Sequence, residues 1–258
     1  MWQARSHVGI SMIQRTIRRL INSAGYELIR LDANLAPDEF EILSKVRDYT
    51  MSGAERLTGL ISAVNYVVGN RLEGDFVECG VWRGGSMMAA ALALLSQADN
   101  SRRLFLFDTF EGMTPPTAKD KVFSGEGADV ILAKTERKEG PGVWAIASQK
   151  DVDQNMRSTG YPAERIHLIK GKVEDTVPQH APEKIALLRL DTDWYESTKH
   201  ELVHLYPRLV PNGVLIVDDY GHWQGARQAV DEYFAGQKFK PLLNRLDYTG
   251  RLVIKPPC

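Results

Sequence analysis

Asp75-Phe76-Val77-Glu78-Cys79-Gly80-Val81-Trp82-Arg83-Gly84-Gly85-Ser86 (DFVECGVWRGGS) passes from a short apolar run through three glycines to a hydroxyl. Beyond it Gly85–Ser96 is rich in Ala, Leu and Met. The apolar run, Phe76–Gly80, reads as a buried strand, and Gly85–Ser96 as the helix that follows it across a tight junction. The same alternation recurs downstream. Strands are expected at Leu104–Asp108, Ile166–Ile169, Ile185–Asp191 and Val214–Asp218, with Ser197–Leu209 helical between the last two. Short apolar strands alternating with longer helical stretches call for an α/β fold, a doubly wound, Rossmann-like parallel sheet covered on both faces.

Upstream of the strand the pattern is helical. Ile10, Ile13, Ile17, Leu20 and Ile21 recur at helical spacing with Arg15, Arg18 and Arg19 between them, an amphipathic helix expected to pack on its own domain or on a partner subunit. Two more helices are expected, at Pro37–Arg47 and Glu55–Val68, the second with Ser52 as N-cap and Glu55 at capping-box spacing. Residues 1–70 thus read as an N-terminal helical extension, and residues 71–258 as the sheet domain. Within that domain Gly112 to Arg165 is long for a connection and opens with Pro115-Pro116; following the second strand, it is expected to form a lid at the ligand-binding edge. Phe239–Leu243 and Arg251–Ile254, around Tyr248-Thr249-Gly250, read as a closing antiparallel hairpin.

Composition narrows the classes. A chain of 258 residues with 43% hydrophobic content can bury a large core. The formal net charge of −1 offers no field of one sign to nucleic acid or an anionic membrane. Two cysteines, Cys79 in an expected strand and Cys258 at the end, suit a reducing cytoplasm. No apolar stretch reaches the roughly 20 residues that span a bilayer.

The first strand's loop does not match the dinucleotide fingerprint G-x-G-x-x-G. It ends in an acid, Glu78, and opens the helix with a hydroxyl, Ser86. A pyrophosphate would be repelled by the acid. A ligand carrying both an ammonium and a carboxylate suits the pair, because Glu78 accepts from the ammonium and the helix amino end favours the carboxylate. S-adenosylmethionine is such a ligand. The second strand ends Phe107-Asp108-Thr109-Phe110, where a carboxylate, Asp108, typically accepts from ribose hydroxyls and Phe110 could cover an adenine.

Two further strand ends carry acids: Arg189-Leu190-Asp191-Thr192-Asp193-Trp194-Tyr195 and Val217-Asp218-Asp219-Tyr220. The fourth and fifth strands are neighbours in a doubly wound sheet, so Asp191, Asp218 and Asp219 should converge. Three carboxylates that close repel unless a cation sits among them, and all-oxygen ligation suits Mg²⁺. A cation beside an alcohol lowers its pKa, and a base must still take the proton. Asp193, two residues beyond a ligand, is the first candidate base and His222 the second.

These stretches carry a resemblance. ECGVWRGGS (Glu78–Ser86), FDTFEG (Phe107–Gly112), LRLDTDWYEST (Leu188–Thr198) and VDDYG (Val217–Gly221) resemble the macrocin O-methyltransferase (TylF-like) family, in order from about Thr50 to Phe234. The family methylates sugar hydroxyls of antibiotics and related natural products on a class I methyltransferase sheet. The resemblance implies S-adenosylmethionine and Mg²⁺, with Asp191, Asp218 and Asp219 as Mg²⁺ ligands and Asp193 as base. Glu78, Gly80, Ser86 and Asp108 look like donor-site residues, with Asp191 bordering the donor too. Thr50 and Met51 lie in a segment similar to one that folds over the donor, and Gly171 and Val173 in one that flanks the adenine. A glycosylated small-molecule acceptor and a homodimer or higher homo-oligomer are also implied. The nearest alternative is a catechol-type O-methyltransferase; an NAD-binding oxidoreductase is disfavoured by the absent fingerprint.

Overall fold

The structure, a computed structural model, describes residues 35–257 together with Ile17, Ile21 and Ser23. Of the expected helix Ile10–Ile21, Ile17 and Ile21 are helical and the rest lies outside the described residues. The chain divides into two compact units, Met1–Leu35 and Ala36–Cys258.

The second unit opens with helices α1 (Pro37–Val46) and α2 (Ala54–Gly69), followed by β1 (Asp75–Cys79), α3 (Gly85–Ser96) and β2 (Leu104–Asp108). The long insertion contributes α4 (Ala128–Lys134) and α5 (Gln149–Ser158) before β3 (Ile166–Lys170). A single turn, α6 (Val173–Thr176), precedes β4 (Ile185–Leu190) and α7 (Tyr195–Leu205). The chain closes with β5 (Leu209–Val217), α8 (Gln224–Ala235), β6 (Asn244–Arg245) and β7 (Arg251–Ile254). The sheet order is β3-β2-β1-β4-β5-β7-β6. The five strands β1 to β5 pair in parallel, and β7 pairs antiparallel with β5 and β6. This is the doubly wound Rossmann-like sheet expected from the sequence. Its order reverses between β1 and β4, where ligands bind open α/β sheets, at the carboxyl ends of the strands.

Alternation along each strand sends neighbouring side chains to opposite faces. Phe76, Leu106, Val214 and Ile216 bury on the face covered by α1, α2 and α3. Val77, Cys79, Phe107 and Leu215 bury on the face that carries Leu202 of α7 and Val230 of α8. Helix α3 has nine of its twelve residues buried, the condition of a helix apolar all round. Helices α1 and α2 bury Ile42, Val46, Leu57, Leu60, Ile61 and Val64 in the same cluster. Their apolar stripes therefore place them with the sheet, and the division of the chain falls at Leu35/Ala36, upstream of the boundary expected near residue 70.

Three local expectations change. The N-cap of α2 is Gly53, with no side-chain cap; Ser52 instead accepts from Nη2 of Arg189 at 2.9 Å. Helix α7 begins at Tyr195, two residues before Ser197, and gives way to a 3₁₀ turn at Tyr206–Arg208. The first hairpin strand shifts from Phe239–Leu243 to Asn244–Arg245. Pro241 has no N–H for a ladder, and Phe239 and Leu242 are exposed. The insertion packs as well: its Ala128 and Leu132 share a cluster with Trp194, Trp223 and Ala226. Among the described residues no helix is long and apolar enough to cross a membrane.

Candidate active site

A cavity of about 440 Å³ opens at the carboxyl ends of the parallel strands, within the size range of small-molecule sites. One half is walled by the β1 loop (Gly80, Val81, Trp82, Ser86), the end of β2 (Asp108) and the turn after β3 (Gly171, Val173). The other half carries Asp191, Asp193, Asp218, Asp219 and His222. Thr50 and Met51 line the cavity from the segment before α2, and Met113, Gly142 and Val143 line it from the insertion.

Glycine is required where β1 meets β4. Gly80 has φ +79°, and a Cβ there would stand 1.9 Å from the carbonyl oxygen of Asp191. The N–H of Asp191 donates to the Cys79 carbonyl at 2.8 Å, so the β1 loop and the first acid of the cluster lean on one another. Gly80→Ala is expected to push β1 and β4 apart at this corner of the cavity and to lower stability by more than about 1 kcal/mol, since alanine does not tolerate that φ. A thermal melt would check this, and a melting temperature equal to wild type would refute it.

Asp108 lies at the cavity wall, but its carboxylate also organises the loop. It accepts from the backbone N–H of Val81 (2.6 Å) and Trp82 (3.1 Å) through Oδ2, and of Phe110 (2.7 Å) through Oδ1. The Thr109 hydroxyl adds a longer bond to Oδ1 at 3.4 Å, so the roughly four acceptor positions of this carboxylate are all engaged within its own loops. Phe110, with φ +53°, turns into the hydrophobic core and is absent from the cavity wall. Glu78 is also absent from it. The register sets Glu78 opposite Arg189 on the neighbouring strand, and the two form a buried ion pair at 2.7 Å. Burial outweighs that arginine and pushes the Glu78 carboxyl up to about 7.

Arg189 is the hub of the acidic half. It is 4% exposed and donates through Nη1 to Glu78 (2.7 Å) and Asp191 (2.6 Å), and through Nη2 to Asp218 (2.5 Å). The other oxygen of Asp218 accepts from Nη1 of Arg56 on α2, whose Nε lies 3.0 Å from Asp247. Neither arginine was singled out by motif reading. Arg189 left one trace, a cation in an otherwise apolar strand; Arg56 left none, because its partners lie far away in sequence.

Strands β4 and β5 bring the acids together as their adjacency requires. Asp191, Asp193 and Asp219 each offer an oxygen, and the three lie within 4.8 Å of one another. Asp191 and Asp219 thus belong to both the sequence-derived trio and this one. Asp218 is adjacent but engaged by the two arginines, while Asp193 comes closer than a separate base would need to. Asp193 sits at φ +65°, and its N–H donates to Asp219 Oδ2 at 3.2 Å. Burial, followed by the charges of neighbouring carboxylates, holds Asp219 well above the usual carboxylate range, and burial does the same for Asp191 against the pull of Arg189. Burial likewise pushes Asp193 up to about 7, against the pull of hydrogen bonds from Asp219 and Trp223. Hard oxygen donors that repel one another at this spacing fit a divalent cation. His222 is half-buried, 3.3 Å from the Tyr248 hydroxyl, and burial, then Arg56, lowers its pKa, so its imidazole is neutral near pH 7.

A parallel sheet with an antiparallel β7 beside β5, and a cavity at its switch point, is the architecture of the class I O-methyltransferases. The structure of the O-methyltransferase NovP superposes with a TM-score of 0.71 at 32% identity, covering 84% of this chain and 88% of that one. The calicheamicin methyltransferase CalS11 shares the fold at a TM-score of 0.60 and 18% identity, covering 98% and 99%. The macrocin-O-methyltransferase (TylF) family model matches residues 43–254. The chain is 34% identical over 204 residues to the 8-demethyl-8-(2,3-dimethoxy-alpha-L-rhamnosyl)-tetracenomycin-C 4′-O-methyltransferase of Streptomyces olivaceus, covering 78% of this chain and 74% of the relative. It is 34% identical over 215 residues to the demethyldecarbamoylnovobiocin O-methyltransferase of Streptomyces niveus, covering 81% and 79%. The protein belongs to the macrocin-O-methyltransferase family and is an O-methyltransferase.

Proposed function

We propose that the protein moves the methyl group of S-adenosylmethionine to a sugar hydroxyl of a glycosylated natural product, with Mg²⁺ in the acidic half of the cavity. The observation that carries this reading is the convergence of four acids, Asp191, Asp193, Asp218 and Asp219, in one cavity with the glycine loop of β1 and with Asp108. The names of the relatives, one of them acting at a rhamnosyl-bearing compound's 4′ position, support the sugar.

In this reading the donor lies along Gly80, Ser86, Asp108, Gly171 and Val173, under Thr50 and Met51. Asp191, Asp218 and Asp219 would hold the cation, and bound there it would acidify and orient the acceptor hydroxyl. Asp193 takes the hydroxyl proton as the oxygen attacks the sulfonium methyl. The carbon–oxygen bond forms, the carbon–sulfur bond breaks, and its electron pair leaves on the thioether sulfur. Asp193 suits the proton because its loop presents the carboxylate to the cavity from a fixed, left-handed turn, with Trp223 against it. His222 is the second candidate base, placed farther along the wall toward Tyr248.

Isotopically labelled S-adenosylmethionine tests the reading against a panel of glycosylated acceptors. Label should enter a glycoside with Mg²⁺ present, disappear with EDTA and return when Mg²⁺ is restored. Turnover undiminished by EDTA would remove the cation from the proposal, and transfer confined to catechols would remove the sugar.

A further inference from the structure

Asp120, in the long insertion, is 1% exposed, and its two carboxylate oxygens serve different elements. Oδ2 accepts from the backbone N–H (2.6 Å) and hydroxyl (2.9 Å) of Thr117, in its own turn. Oδ1 accepts from the backbone N–H of Tyr195, the first residue of α7, at 2.8 Å. Trp194, the residue before that helix, provides no side-chain cap. A carboxylate 75 positions away in the chain does that work instead. The same oxygen lies against the first turn of α8, where a Cβ on Gly225 would stand 2.1 Å from it. Helix α8 also lacks a side-chain cap of its own.

One buried anion therefore sits at the amino ends of α7 and α8. These are the two helices that follow the acid-bearing loops, Asp191 to Trp194 and Asp218 to Trp223. Neighbouring bonds from the insertion run beside it: Gln224 N–H donates to the Lys121 carbonyl (2.8 Å), Phe123 N–H to the His222 carbonyl (2.9 Å), and Trp194 Nε1 to the Thr114 carbonyl (3.0 Å).

We infer that Asp120 is a positioning residue, a clasp through which the insertion sets the spacing of the Asp193 and Asp219 loops, and so of the base and the cation site. The inference rests on the cation reading above. It assigns the insertion a part in the chemistry that a surface cover would not have. The carboxylate hydrogen bonds of Asp120 go to Thr117 and Tyr195, and not to Gly80, Ser86, Asp108 or Gly171, so S-adenosylmethionine affinity is expected to be independent of it.

The test is calorimetric titration of the full chain with Mn²⁺ and, separately, with S-adenosylmethionine, for wild type, Asp120→Asn and Gly225→Ala. Asp120→Asn removes a negative charge, which by itself weakens cation binding. Gly225→Ala keeps the charge and pushes the carboxylate off its seat, and wild-type S-adenosylmethionine binding in the same sample shows that the fold is intact. Both variants should bind Mn²⁺ about 10- to 100-fold more weakly, as expected for groups that orient ligands from behind, while S-adenosylmethionine affinity stays at the wild-type value. Wild-type Mn²⁺ affinity in Gly225→Ala would overturn the clasp alone. A wild-type protein that binds no Mn²⁺ would overturn the cation reading, and the clasp with it.

Discussion

Asp193→Asn is expected to cut methyl transfer to a sugar hydroxyl by about 10²- to 10⁴-fold, the contribution of a positioned general base. Asparagine is close in shape to aspartate but cannot take the proton, and an aliphatic hydroxyl does not lose its own near neutrality. Binding of S-adenosylmethionine should be unchanged, because the donor is proposed to lie in the other half of the cavity, lined by Gly80, Ser86, Asp108 and Gly171. Mn²⁺ binding should survive in Asp193→Asn and be lost in Asp218→Asn. The reverse pattern would place Asp193 in the ligand set with Asp191 and Asp219, the trio drawn within 4.8 Å, and leave Asp218 as the partner of two arginines. Full turnover in Asp193→Asn would sink the base assignment and favour a phenolic acceptor, which is acidic enough to react without one.

The second large effect is on stability. Arg189 holds Glu78, Asp191 and Asp218 together from a position 4% exposed. In Arg189→Met, Glu78 and Asp191 lose their counter-charge and Asp218 keeps only Arg56; leaving buried carboxylates unpaired typically costs about 3–5 kcal/mol. For a domain of this size that corresponds to a fall in Tm of about 6–20 °C. The deficit should depend on pH with a definite sign. The Glu78 carboxyl already lies at about 7 in the folded protein, above its value in an unfolded chain, and without Arg189 it moves higher. Stability linked to such a raised group is fully present below the unfolded pKa and is lost as pH rises through the folded one. Arg189→Met should therefore be further below wild type at pH 8 than at pH 5. A melting temperature that falls by less than about 2–4 °C, the equivalent of one kcal/mol, would mean the hub contributes little to stability.

The motif-bearing strands were legible because each carries its own signal. Leu104–Asp108 appears where the sequence places it, and the other four differ by one to five residues at an end. The largest of these differences, the early start of β5 at Leu209, comes from pairing with Ile185 of β4, which no local pattern encodes. The acids at the ends of β4 and β5 converge because adjacency in the sheet follows from strand alternation alone. Phe110 shows the limit of the same reasoning. An aromatic after a strand can face a ligand or the core with equal local propriety, and here a left-handed φ turns it to the core. Ser52 shows it again: the capping spacing with Glu55 was present, but a buried guanidinium took the hydroxyl.

By itself the sequence determined the fold class, the family and the neighbourhood of the site, because periodicity, glycines at strand ends and acids at adjacent strand ends are local properties that topology rules convert into position. The tertiary structure alone decided which groups those acids meet. Glu78 faces Arg189 through strand register, Asp218 meets Arg56 across 162 positions, and Asp120 reaches Tyr195 across 75. A hydrogen bond between distant residues leaves no period and no spacing in the chain. Its partners become visible only once the sheet has folded and the desolvation of each charge has to be met by whatever lies within about 3 Å.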